Sequence, residues 1–275
     1  MEYPTWDEIS KKVLGQVNPI NPVIVYGNTA FVMPSNKVCA CHNPKYQQDL
    51  VGVDIPVLLS QENKASKGII VILGESPLRT RNDKEDNKNI VFGLPYAVHM
   101  GMGNPPQSRM YKNIFIALLM GSNHIIKNED WMEQDNQTVG YSIYLTDIIK
   151  DWYADRDLDP SEDDIELFES ELAILQQSHP NTKISIVVFG KKAENAIDNI
   201  IKRNNTIKNL PIIRLPHPSK KNWTTWKLRI FEKAVYDNDI DYAIGIYPDP
   251  SSPTNEGIVS DEAIKEILAG LQANP

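Results

Sequence analysis

The chain has 275 residues, a formal net charge of -8, and 41% hydrophobic and 23% charged residues, a composition ordinary for a soluble globular protein. No apolar run reaches the roughly 18 to 20 residues that a membrane span needs, and the N-terminus lacks the apolar stretch of a secretory signal. We therefore expect a cytoplasmic protein that does not enter a membrane, with one α/β domain and an extension at each end.

Residues 1–66 are expected to form an N-terminal extension packed on the core. Pro4 to Leu14 suits a short helix, and the Pro, Asn and Gly that follow favour loops and short strands. The two cysteines, Cys39 and Cys41, are too close for a good disulfide and too few for a zinc or iron–sulfur site. They are best explained as small core residues, and we expect no metal and no cofactor.

The segment GIIVILGESP predicts a buried parallel strand from Ile69 to Leu73. Gly74 allows a sharp turn, after which Glu75 and Ser76 present a carboxylate and a hydroxyl, and Pro77 prevents further strand pairing. Ligands bind at the carboxyl ends of the strands in open α/β sheets. An ordinary turn between a strand and a helix would have the same sequence pattern.

The segment from Asn89 to Gly101 carries Gly and Pro at intervals that favour a loop. Its aromatic residues, Phe92 and Tyr96, would either stack on a flat ligand or fill the core. The next apolar face, within residues 108–120, predicts a helix on the sheet.

A second strand is predicted from Tyr141 to Leu145, and it ends in Thr146 and Asp147. Asp147 is either the cap of a helix over the following residues IIKDW or a ligand contact. Another helix is predicted between Asp159 and Gln177; Ser161 and Asp164 resemble a capping box, and its acidic side is expected to face solvent.

The third predicted strand, Ile184 to Phe189, precedes a helix from Lys191 to Arg203, and the fourth strand runs from Pro211 to Leu215. The sequence PHPSKKNW then leads into a helix from Thr224. Residues 181–233 hold twelve Lys and Arg against three acids, a local charge of +9. This basic segment is either a solvated face or a surface for nucleic acid.

Four strands that alternate with helices predict a parallel sheet with helices on both faces. The polar strand ends would then lie along one edge, here called the rim. We expect this α/β domain to span residues 67–236 and a C-terminal extension to span residues 237–275, with a helix after Ser260.

Five motifs in this order, GESP, GLPYAV, YLTD, VVFGKKA and LPHPSKKNW, resemble those of the uracil-DNA glycosylase superfamily over roughly residues 68–235. The resemblance implies a three-layer α/β/α fold with a central four-stranded parallel sheet. It also implies hydrolysis of the N-glycosidic bond of uracil, or of another deaminated or damaged base, in DNA during base-excision repair. DNA would be the partner, as a single or a double strand.

The resemblance also implies roles for individual residues. Gly74 and Pro77 would shape the base pocket, Tyr96 would stack on the flipped base, and His217 would stabilise the departing base. The loop that probes the DNA, with its phosphate contacts, would consist of Ser219, Lys220, Lys221 and Asn222.

This sequence departs from the family pattern at two site residues and lacks the cluster cysteines of the iron–sulfur members. Ser76 is not a base at neutral pH, so Glu75 would have to position the attacking water. Asp147 stands where many members have an asparagine, and an ionised aspartate only accepts hydrogen bonds. Either the preferred base differs from uracil or the Asp147 carboxyl is protonated in the pocket.

Two other functions fit the same motifs. A catalytically silent nucleic-acid or nucleotide-binding module would keep the pocket without a water-positioning acid. A hydrolase of free nucleosides would need no basic loop to probe the duplex.

Overall fold

The structure is a computed structural model, and it describes residues 31–34, 50–54, 56–59, 66–76, 89–93, 114, 117–118, 140–153, 158–203, 205–218, 222–245 and 254–273. The helix expected from Pro4 to Leu14 lies outside these residues, as do Cys39 and Cys41. In the described ranges, no helix combines the length and the hydropathy that crossing a bilayer requires.

Two sheets contain the strands of the described residues. Their bounds in chain order are β1 (Phe31–Pro34), β2 (Leu50–Asp54), β3 (Val57–Leu59), β4 (Ile69–Gly74), β5 (Asn89–Gly93), β6 (Ser142–Asp147), β7 (Asp151–Tyr153), β8 (Ile184–Phe189) and β9 (Ile212–Leu215).

The central sheet has the order β3-β6-β4-β8-β9. Its four strands β6, β4, β8 and β9 are all parallel, as expected, and β3 adds an antiparallel edge strand next to β6. Every residue of β4, β6 and β8 is buried, which explains why these strands are nearly continuous apolar runs. The prediction of a four-stranded parallel sheet is confirmed, with one strand added.

The second sheet, of order β1-β5-β2-β7, contradicts two local expectations. Asn89–Gly93 was predicted to be a loop, but it pairs antiparallel with β1 and parallel with β2. No helix begins at Asp147; a turn of three residues leads directly into β7, which pairs antiparallel with β2. The prediction of a helix over IIKDW was therefore wrong, because pairing with a distant strand outweighs local helix propensity.

The helices of the described residues are α1 (Glu162–Ser178), α2 (Lys191–Arg203), α3 (Asn205–Lys208), α4 (Trp223–Tyr236), α5 (Ile240–Gly245) and α6 (Thr254–Gln272). The backbone is also helical at Ile114, Ala117 and Leu118, inside the helix predicted there. The capping box of α1 is confirmed, since the Asp164 amide donates to Ser161 Oγ at 3.3 Å and the Ser161 amide donates to Asp164 Oδ2 at 2.8 Å.

Helices cover both faces of the central sheet. Side chains alternate along β4, so that Val71 and Leu73 belong to an apolar core with α1 and α2, whereas Ile70 and Ile72 belong to a second core with α4 and α6. The three-layer α/β/α architecture follows. Two elements outside residues 67–236 take part in it, because β3 extends the sheet and α6 covers its second face.

Candidate active site at the carboxyl rim of the sheet

The carboxyl ends of the four parallel strands lie along one rim. Gly74 at the end of β4 pairs in register with Asp147 at the end of β6, and Phe189 of β8 pairs with Leu215 of β9. In chain order the parallel strands are arranged 2-1-3-4, so the direction of winding reverses between β4 and β8. A crevice for ligands opens at such a switch point, outside the carboxyl ends of the two strands.

Glu75 lies at this switch point and contacts the first turn of α2. Its Oε1 accepts a hydrogen bond from the Lys192 amide at 3.0 Å. Gly190 lies against the same carboxylate, with φ of 93°, and a Cβ added there would be 2.3 Å from Glu75 Oε1. A carboxylate at this position satisfies an amide that the helix leaves unpaired and interacts favourably with the helix dipole. Glu75 therefore caps α2.

Asp147 belongs to the opposite face of the sheet from the Glu75 carboxylate. The neighbouring side chains of Tyr144 and Thr146 donate to Glu171 of α1, which lies in the layer of α2. Because side chains alternate along a strand, Asp147 shares the other face with Leu145, in the layer of α4 and α6. Asp147 is only 3% exposed, so its carboxyl group is enclosed beneath the rim.

His217 follows the end of β9 by two residues and is partly buried between Pro216 and Pro218. Burial disfavours the charged imidazolium and lowers the pKa of His217 from 6.5 to about 4. The ring is therefore neutral at physiological pH, with one nitrogen as donor and the other as acceptor. A neutral imidazole can donate a hydrogen bond to a group that becomes anionic without first losing a proton.

The remaining predicted site residues divide into two groups. Gly74 ends β4, Ser76 follows Glu75 in a half-buried bend, and Asn222 is the N-cap residue of α4 but makes no side-chain capping bond. The others lie outside the described residues: Pro77, Tyr96, Ser219, Lys220 and Lys221. Of the predicted site residues, the structure thus describes Gly74, Glu75, Ser76, Asp147, His217 and Asn222, at or just beyond the carboxyl ends of β4, β6 and β9.

A polar cluster that the sequence interpretation missed lies beneath the rim. It consists of Lys150 at the turn after β6, Glu171 of α1, and the hydroxyls of Tyr144 and Thr146. The acidic residues of α1 were expected to face solvent, which is wrong for Glu171, a fully buried residue. Its spacing held the signal, since Glu171 follows Phe168 by three residues and therefore shares the apolar stripe.

The three arginines of the basic segment are paired with acidic side chains. Arg203 contacts Glu162 and donates to Glu169 at 2.6 Å, and Arg214 donates to Asp198 at 2.8 Å. Arg229 donates from Nε to Glu266 at 3.0 Å. Neighbouring carboxylates thus neutralise the three guanidinium charges of this segment.

No protein-family model matches the chain, and no curated protein matches its sequence. Across the described residues, no group of three or more His, Cys, Asp or Glu side chains is arranged to hold a metal ion.

Proposed function

We propose that the chain is a DNA glycosylase with a uracil-DNA glycosylase-like fold, which hydrolyses the N-glycosidic bond of a deaminated or damaged base. The observation that carries the proposal is the position of His217, half-buried two residues beyond the end of β9 at the carboxyl rim, the edge where α/β sheets bind ligands. The motif around it, HPSKKNW, supplies lysines for phosphates directly after the histidine.

In the proposed reaction, the target base leaves the DNA stack and stacks on Tyr96. The bond between the sugar carbon and the base nitrogen breaks, and its electron pair leaves with the base. His217 donates a hydrogen bond to the base oxygen on which negative charge develops. A water molecule, held by Glu75 or Ser76, forms the new bond to the sugar carbon and gives up one proton, which ends on the anionic base that has left.

The test is a panel of single- and double-stranded oligonucleotides that carry uracil, hypoxanthine or other lesions, followed by alkali to cleave abasic sites. Strand breaks with at least one lesion support the proposal. We expect His217→Ala to lower the single-turnover rate by about 100-fold or more while DNA binding is retained. An unchanged rate in this variant would remove His217 from the chemistry.

A second candidate function is a silent nucleic-acid or nucleotide-binding module, and the position of Glu75 favours it. Its Oε1 is occupied by the Lys192 amide, on the opposite face of the sheet from Asp147, so a water-positioning role would have to use its other oxygen. Tight binding of the same oligonucleotides without any strand breaks would support this second candidate and contradict the first.

A further inference from the structure

The polar cluster beneath the rim contains an ion pair that the proposed chemistry does not use. Lys150 is 1% exposed and contacts Oε1 of Glu171, which is fully buried. The other oxygen of Glu171 accepts from the Tyr144 hydroxyl at 3.1 Å and from the Thr146 hydroxyl at 2.8 Å. Burial raises the pKa of Glu171 above its usual value, and the neighbouring Lys150 ammonium opposes this shift only in part. Both carboxylate oxygens thus have polar partners in an apolar core.

Stability alone does not explain why this ion pair is present. Removing two charges from water is expensive, and apolar side chains of similar volume are often as stabilising at a buried position. Lys150 supplies something that an apolar side chain lacks, because its Nζ donates to the carbonyl oxygen of Asp147 at 2.7 Å. The ion pair therefore fixes a point of the backbone at the end of β6.

The turn that Lys150 closes also holds the end of β4. The Ile148 amide donates to the Gly74 carbonyl at 3.0 Å, and the Ile149 amide donates to the Glu75 carbonyl at 3.1 Å. The side chain of Glu75 in turn caps α2. Hydrogen bonds thus connect helix α1, the ends of β4 and β6, and the start of α2.

We propose that Lys150 and Glu171 are positioning residues, a buried pair that holds the backbone of Asp147 and Glu75 at the rim. The inference rests on the proposed function, because it assigns these two rim residues to a ligand pocket. Neither Lys150 nor Glu171 is expected to touch the ligand, so their effect is expected on the rate of reaction rather than on DNA affinity.

The test variant is Lys150→Met with Glu171→Gln, which removes the ammonium donor without leaving a charge buried alone. Glutamine still accepts hydrogen bonds from Tyr144 and Thr146. The matched control is Arg203→Met with Glu169→Gln. It removes another ion pair that involves a glutamate of α1, the helix that carries Glu171. Arg203 ends α2, roughly 18 Å along the helix from the turn that Glu75 caps.

Three measurements are made on both double variants: thermal unfolding, DNA binding, and single-turnover cleavage of the best oligonucleotide. We expect the test variant to remain folded and to bind DNA within about threefold of wild type, while cleavage falls by about tenfold or more because the rim is displaced. The control should keep its cleavage rate. Equal rates in the folded test variant and the control would overturn the proposal.

Hydrogen–deuterium exchange separates this proposal from the proposed function. We expect the amides of Ile148 and Ile149 to exchange about tenfold faster in the test variant than in the control. If wild type neither binds nor cleaves DNA, the glycosylase proposal fails, but faster exchange still supports the positioning role and unchanged exchange overturns it. Should the test variant not fold, Thr146→Val removes one hydrogen bond to Glu171 and is expected to accelerate the same amides; unchanged exchange there would also overturn it.

Discussion

Glu75 and Lys192 are 117 residues apart in the chain and are joined by one hydrogen bond, from the Lys192 amide to the carboxylate of Glu75. This bond connects the end of β4 to the start of α2 across the switch point of the sheet. Glu75 was predicted to be the water-positioning acid, and that role stays a prediction. Its capping role gives the first experiment.

Replacing Glu75 separates capping from catalysis. Glu75→Ala removes the acceptor and is expected to cost about 1 kcal/mol of unfolding free energy in urea, the usual effect of losing a helix cap. Glu75→Gln keeps an acceptor and should cost less. If Glu75 also positions water, we expect Glu75→Gln to lower cleavage about 100-fold at nearly unchanged stability. Equal cleavage by Glu75→Gln and wild type would limit Glu75 to the cap.

Gly190 is expected to tolerate no side chain. Its φ of 93° is unfavourable for other residues, and a Cβ there would be 2.3 Å from Glu75 Oε1. We expect Gly190→Ala to lower the unfolding free energy by about 2 kcal/mol or more. The control is Gly257→Ala in α6, where a Cβ meets nothing within 4 Å and a gain of up to about 1 kcal/mol is expected. Equal urea midpoints for the two variants would contradict the close approach of Gly190 to Glu75.

The lowered pKa of His217 makes stability depend on pH. The imidazole of His217 is protonated near pH 6.5 in the unfolded chain and only near pH 4 in the folded chain. The unfolding free energy therefore does not depend on this group above about pH 6.5, and it decreases as the pH falls below that value. By pH 4 the loss amounts to roughly 3 kcal/mol. We expect His217→Gln to remove this part of the pH dependence between pH 7 and pH 4. Parallel stability curves for wild type and variant would contradict the burial of the imidazole.

DNA binding is expected to depend on the loop lysines rather than on the paired arginines. Lys220→Ala should reduce the magnitude of the slope of log K against log salt concentration by about 0.9 on duplex DNA. The variant would make one phosphate contact fewer, and its binding would therefore release fewer counterions. Arg203→Gln, whose side chain is already paired with Glu162 and Glu169, should leave the slope unchanged. Fluorescence anisotropy at several salt concentrations measures both slopes. A larger change for Arg203 than for Lys220 would place the DNA on another surface.

The sequence predicted the elements that local patterns define. The bounds of β8 and α2 match the prediction, because an apolar run closed by a glycine and followed by an amphipathic segment has one reasonable interpretation. The strands β5 and β7 were missed because they are short and pair with β2, whose residues lie far from them in the chain. These strands are stabilised by pairing with other strands rather than by the strand propensity of their own sequences.

The sequence predicted which residues lie at the carboxyl rim, but not the face of the sheet on which each side chain lies. Parallel strands bring their carboxyl ends together, which places the ends of β4 and β6 in register at Gly74 and Asp147. The face on which each side chain lies depends on the alternation within the strand and on the packing of helices, and these place Glu75 and Asp147 on opposite faces. The buried ion pair of Lys150 and Glu171 could not be predicted from the sequence, because it forms only when the turn after β6 packs against α1.

The cover that α6 provides has a consequence for any attempt to shorten the chain. Gly270 allows α6 to pack closely against β9, since a Cβ at this position would be 2.6 Å from the side chain of Ile213. A fragment that stops at residue 236 would lack Ile264 and Ile267 of α6. It would therefore expose to solvent the apolar face of the sheet that these residues cover. Helix α6 thus forms one wall of the α/β domain, and fragments without it are expected to aggregate, because a large apolar surface would face solvent.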